Sequence, residues 1–63
     1  MMRLIKLDAL DGEMYVNVDK IEALTDQDEL TVVALTNGNN RNYFRVHETP
    51  EEIIELIKNA KEI

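Results

Sequence analysis

The sequence predicts an α+β fold: an antiparallel meander of four to five strands with one C-terminal amphipathic helix packed on one face of the sheet. Three observations predict it. Apolar and polar residues alternate through much of residues 3–46, the period of half-buried strands. Asp11-Gly12 and Asn37-Gly38 punctuate that alternation with turn chemistry. From Ile53 onward the apolar period changes to that of a helix. The expected organisation is one domain over residues 1–63, with the sheet in 2–48 and the helix in 50–62.

The first strand, RLIKL, places Arg3, Ile5 and Leu7 on one side and Leu4 and Lys6 on the other. DALDG turns the chain, with Asp11-Gly12 suited to the positive φ of tight hairpins. In EMYVNVD, Met14, Val16 and Val18 alternate with Tyr15, Asn17 and Asp19, so one face is core and the other wet. KIEAL continues as a short strand with Ile21 and Ala23 opposite Glu22 and Leu24, and TDQDE reads as a polar connection. LTVVALT is rich in β-branched residues and ends at Asn37-Gly38, a pair favoured in type I′ turns. Because NGNNRN is longer than a two-residue loop, a protruding or irregular tip is expected before YFRVHE returns as the last strand, with Phe44 and Val46 sharing a face.

Thr49-Pro50-Glu51-Glu52 has the form of a capping box, in which Thr49 accepts from the Glu52 N–H and Glu52 reaches back to that of Thr49. Pro50 suits the first helical position, and the two glutamates favour the positive end of the helix dipole. Ile53, Leu56, Ile57 and Ala60 then follow i, i+3, i+4, i+7 spacing, so Ile53, Leu56 and Ile57 are expected to close the core.

Composition narrows function. Thirteen acidic residues against seven basic ones give a formal charge of -6, which repels phosphate backbones and anionic lipid surfaces. There are no cysteines, which removes disulfides, thiolate metal sites and thiol nucleophiles. No stretch approaches the roughly 20 apolar residues of a membrane span, and the amino-terminal residues lack the apolar core of a signal peptide. The expected setting is soluble and cytoplasmic, without membrane insertion. A chain this short buries only about 60% of the surface its unfolded form exposes, which makes self-association a reasonable expectation.

His47 stands beside Glu48, Glu51 and Glu52, but metal binding would require a glutamate to leave the cap, and a zinc site wants three or four ligands. The chain has no serine, and of its four threonines only Thr49 is near His47; that hydroxyl is committed to capping. Asp26, Asp28 and Glu29 lie in a polar turn without the apolar surroundings that separate carboxylate pKa values. The only glycines, Gly12 and Gly38, mark turns, so no phosphate-binding loop is present. The reading is therefore non-enzymatic, with no catalytic, metal or cofactor residues assigned. Asn17 and Asp19 read as a turn-stabilising side-chain hydrogen bond.

The second face of LTVVALT is more informative. If Val33 and Leu35 point to the helix, then Leu30, Val32 and Ala34 point away, joined by Leu4 or Leu24. A single helix covers one face only, so these residues are the expected contact for a protein partner or a second copy, giving a homo-oligomer. The competing reading is that strand twist and loops cover them. The alternative function is regulatory binding of nucleic acid through Arg41 to Arg45 at the hairpin tip, where two arginines bracket two aromatics.

The stretches LDGEMYVNVDKIEAL, TVVALTNG and HETPEEIIELI together resemble the small flagellar FlbD/SwrD-like family. That family has an L-N-G hairpin, then N-x-D-x-I-E, then a strand ending L-T-N-G, and a charged residue with Ser or Thr before a short helix. Leu10-Asp11-Gly12, Asn17, Asp19, Ile21, Glu22, Leu35-Thr36-Asn37-Gly38 and Glu48-Thr49 stand at the matching places. The resemblance implies a cytoplasmic, non-enzymatic accessory protein of flagellar or swarming motility that acts through protein contacts.

Overall fold

The computed structural model describes residues 2–62. Five strands, β1 (Leu4–Ala9), β2 (Gly12–Asn17), β3 (Ile21–Gln27), β4 (Leu30–Asn37) and β5 (Asn40–Val46), precede one helix, α1 (Pro50–Lys58). The α+β class and the helix docked on an antiparallel sheet are as the sequence predicts. The strand order is β2-β1-β5-β4-β3, so the sheet is a β1–β2 hairpin joined to a β3–β4–β5 meander rather than one consecutive run. The junction is narrow: Ala9 pairs with Val46, flanked by bonds from the Leu10 N–H to the Arg45 carbonyl and from the His47 N–H to the Asp8 carbonyl.

The core lies between the sheet and α1. Ile5, Leu7, Val16, Val18, Val33, Val46 and Ile53 are buried, with Ala9, Met14, Ile21, Leu24, Leu35, Ile57 and Ala60 packed against them. Period-two alternation explains this membership on β1, β2 and β4: Ile5 faces Val16 and Leu7 faces Met14, all on one side of the pleat. β2 ends at Asn17, whose side-chain oxygen accepts from the Asp19 N–H at 3.0 Å and starts the 3₁₀ turn Val18–Lys20. Asn17 thus has the turn-building role its type suggests.

Five local expectations are corrected. First, TDQ is not a loop: Thr25, Asp26 and Gln27 pair with Val32, Thr31 and Leu30, leaving Asp28 and Glu29 as the turn. Second, Ile21 and Ala23 do not share a face. A bulge between Ile21 and Ala23 shifts the register, so Ile21 and Leu24 both reach the core while Glu22 and Ala23 project from the opposite face. Third, the tip is regular, because Asn37 pairs with Asn40 and Gly38 takes the first central position with φ 64°. Positive φ at that position alone is the type II′ pattern, one residue displaced from the I′ reading. Fourth, Leu56 is 37% exposed. Ile53, Ile57 and Ala60 form the stripe that meets the sheet, and Leu56 lies to one side of it. Fifth, the helix is shorter than 50–62: it ends at Lys58 with Asn59 as its C-cap, and Glu62 forms an isolated bridge with Arg3, the residue before β1.

The capping box is complete. Glu52 N–H donates to Thr49 Oγ1 at 3.1 Å and Thr49 N–H donates to Glu52 Oε1 at 2.9 Å, with Pro50 in the first turn. Just before it, Thr31, 1% exposed, donates its hydroxyl to the Glu48 carbonyl at 2.6 Å. Both Glu48 carboxylate oxygens accept from the Asp8 N–H, each at 3.0 Å. These bonds fix the chain between β5 and α1 against two strands, which sets where the helix lands.

Gly12 adopts φ 127°, and a Cβ placed there meets nothing within 4 Å. The cost of a side chain is therefore backbone strain alone. Gly12→Ala is expected to lower the unfolding free energy by about 1–2 kcal/mol, read as an earlier midpoint in urea with an unchanged slope. A midpoint equal to that of the parent would mean that the turn relaxes freely.

Candidate protein-docking groove

On the face away from α1, β3, β4 and β5 present one continuous surface. The register sets Val32 between Thr25 and Arg45, and Ala34 between Ala23 and Tyr43. Leu30, Val32 and Ala34 thus face away from the helix, as the sequence predicts, although not equally. Leu30 and Val32 are half-buried. Ala34 is only 6% exposed, enclosed by its cross-strand neighbours, so it supports the floor rather than offering contact. Leu4 also faces this side, on β1, whereas the bulge sends Leu24 to the core.

The β1–β2 turn and the β3–β4 turn rise at one end of this surface and make a groove. One part is lined by Leu10, Asp11, Gln27, Val32, Tyr43 and Arg45. The adjoining part is lined by Leu10, Asp28, Glu29, Leu30, Arg45 and His47. Leu10, 52% exposed, and Tyr43, 62% exposed, add apolar area that sequence reasoning did not assign to the site. Their signal was weak, since Leu10 belongs to a turn and Tyr43 to a polar strand.

Charge is distributed unevenly around the groove. Asp11, Asp28 and Glu29 stand on its turns, and Arg45 lies in its middle. Among the described residues Arg45 makes no ion pair, whereas Arg41 is paired with Glu22, which also accepts from the Thr36 hydroxyl. The bulge places Glu22 on the outer face and so makes this triad. The Arg41 pKa is raised by the Tyr43 phenol first and the Glu22 carboxylate second, although the direct hydrogen bond runs to Glu22. On the hairpin β1–β2, Lys6 is raised by its hydrogen bond and charge contact with Glu13, 3.2 Å away. The two arginines expected together at the tip are thus separated: Arg41 stands beside it and is held by an acid of its own sheet, whereas Arg45, opposite Val32, lies toward the other end of β5.

His47 is exposed on the groove rim. Its expected neighbours are engaged elsewhere: Glu48 on the Asp8 N–H, Glu52 on the Thr49 N–H. Among the described residues no three of His, Cys, Asp and Glu are grouped to hold a metal ion, and no helix is long and apolar enough to cross a membrane. What the arrangement can do is bury apolar side chains of another molecule over Leu10, Leu30, Val32 and Tyr43, with Arg45 and the turn carboxylates fixing its orientation.

A family model described as flagellar and swarming motility proteins matches residues 1–63. No curated protein and no solved structure matches the chain.

Proposed function

We propose that this chain, which belongs to the FlbD family of flagellar and swarming motility proteins, serves motility as a small cytoplasmic docking module with no chemistry of its own. The observation that carries this reading is the half-buried apolar strip of Leu30 and Val32 on the sheet face that α1 leaves open. In a domain whose core is already closed by Ile53, residues on that face add little to folding. Their aliphatic character is better accounted for by contact with a protein of the motility apparatus. The groove turns set a polar rim around an apolar centre, the usual anatomy of a protein interface. The capture of Arg41 by Glu22 also favours a protein over a nucleic acid at this strand, because of its two arginines only Arg45 has no ion pair among the described residues.

Val32→Glu tests the reading. It introduces a charge where the side chain is only half-buried, so the folded chain is expected to keep its circular dichroism spectrum while losing partner recovery and swarming in its source cell. Motility components recovered equally by both forms would place the contact elsewhere. Salt-sensitive binding of an oligonucleotide pool by the wild type would overturn the protein reading in favour of the nucleic-acid alternative.

A further inference from the structure

β5 is longer than its pairing with β1. The β4–β5 ladder runs from Asn37↔Asn40 to Thr31↔Val46, whereas β1 meets β5 only at Ala9↔Val46 and then turns away. In an antiparallel ladder the backbone groups of alternate residues point to opposite sides. The two-residue turn makes Asn40, Asn42, Phe44 and Val46 the residues that bond to β4. Arg41, Tyr43 and Arg45 therefore present theirs to the other side. Arg45 confirms the parity, since its carbonyl accepts from the Leu10 N–H at 3.2 Å. Beyond it, among the described residues, the N–H and C=O of Arg41 and Tyr43 meet no backbone partner, and residues 40–45 are exposed.

We propose that this open edge pairs with the same edge of a second copy of the chain, about a two-fold axis passing between the Asn42 residues. The register follows from the parity. Antiparallel pairing centred on Asn42 sets Arg41 opposite Tyr43 of the second copy and Tyr43 opposite its Arg41. Each pair exchanges both backbone bonds, and four groups that are open in each copy become satisfied. Other centres are poorer: a centre on Tyr43 brings Arg45 into the ladder, where Leu10 already occupies its carbonyl.

Charge selects the same strand. A chain of net charge -6 repels its copy almost everywhere, but β5, NRNYFRV, is the one charged element without an acid. Glu22 neutralises Arg41 within each copy, so the joined edges meet close to neutral. Both Arg41 and Tyr43 project to the outer face, which places each guanidinium beside the ring of the other copy, a cross-strand pair of favourable chemistry. The strands at the two ends of the sheet are less suited: β3 carries the Glu22 bulge, a device that blunts edges, and β2 carries an acid, Glu13.

Tyr43→Pro is the direct test. It removes an N–H that points to the edge and leaves every bond to β4 in place, the setting in which a strand tolerates proline. Sedimentation equilibrium up to about 1 mM, the limit of weak association, is expected to show the wild-type mass approaching twice that of the monomer. Tyr43→Pro should remain a monomer, and Val32→Glu should dimerise like the wild type. A wild-type chain that stays monomeric over that range overturns the proposal, as does a folded Tyr43→Pro that still dimerises. Should Tyr43→Pro not fold, hydrogen exchange on the wild type decides. Protection of the Arg41 and Tyr43 amides that rises with concentration supports the pairing, and protection that does not change overturns it.

Discussion

Ile53→Ala is expected to lower the unfolding free energy by about 3 kcal/mol, within the range measured for truncating fully buried aliphatic side chains. Ile53 has 0% exposure and is the only buried residue of α1, so it is the point at which the helix is held to the sheet. A domain of 63 residues has a total stability on the order of 3–9 kcal/mol, and each kcal/mol moves its midpoint by roughly 4–8 °C. The variant should therefore melt well below its parent, with much of the population unfolded at 37 °C. Ile54, the next residue, is 46% exposed, and Ile54→Ala should change stability by less than about 0.5 kcal/mol. Thermal melts of the two variants side by side make the comparison. Equal effects would mean that α1 is rotated from the position described.

Leu7→Ala should be at least as damaging. Leu7 is fully buried in β1 opposite Met14, in the strand that joins the hairpin to the meander. Its truncation leaves a cavity under a junction held by a single residue pair, and a sheet this small has little means to collapse into it. The expected loss is about 3–4 kcal/mol, whereas Leu7→Met, which conserves volume, should lose less than about 1.5 kcal/mol. Denaturant titration followed by circular dichroism reads both. If Leu7→Ala retained the parental midpoint, the core assignment of β1 would be wrong.

How far the sequence discloses the fold depends on the range of each interaction. The capping box at Thr49 and Glu52 and the Asn17 turn are legible because donor and acceptor lie within three residues. Val33, Val46 and Ile53 are legible as core because a face is fixed by spacing. The Glu22 bulge is not. It has no local composition signature, and only the pairing of β3 with β4 shows that Ile21 and Leu24 share a side. The same holds for Thr31, a polar residue buried in the middle of a strong strand because the carbonyl of Glu48, 17 residues on, accepts its hydroxyl. Leu56 fits the helical period but not the core, since the period tells which residues are neighbours on α1 and not how α1 is rolled on the sheet.

The candidate groove divides in the same way. Leu30, Val32 and Ala34 follow from alternation once the inner face is known. Leu10 and Tyr43 need the tertiary arrangement, because they come from a turn and from a strand that approach only when β1 lies beside β5. The family resemblance read from turn and strand motifs is matched over residues 1–63. Of those motifs only the first, Leu10-Asp11-Gly12, lies at the groove, where Leu10 and Asp11 line it.

The single Ala9↔Val46 link between hairpin and meander also bears on how the protein is made. The β1–β2 hairpin leaves the ribosome early, yet its apolar face has no cover until β5 and α1 have followed. Ala9 and Val46 stand 46 - 9 = 37 positions apart, so at roughly 5–20 residues per second the partner strand is synthesised a few seconds after β1. Until β5 and α1 arrive, Ile5, Leu7 and Val16 have no cover from their own chain, so the incomplete chain presents to its surroundings an apolar surface that the finished domain buries.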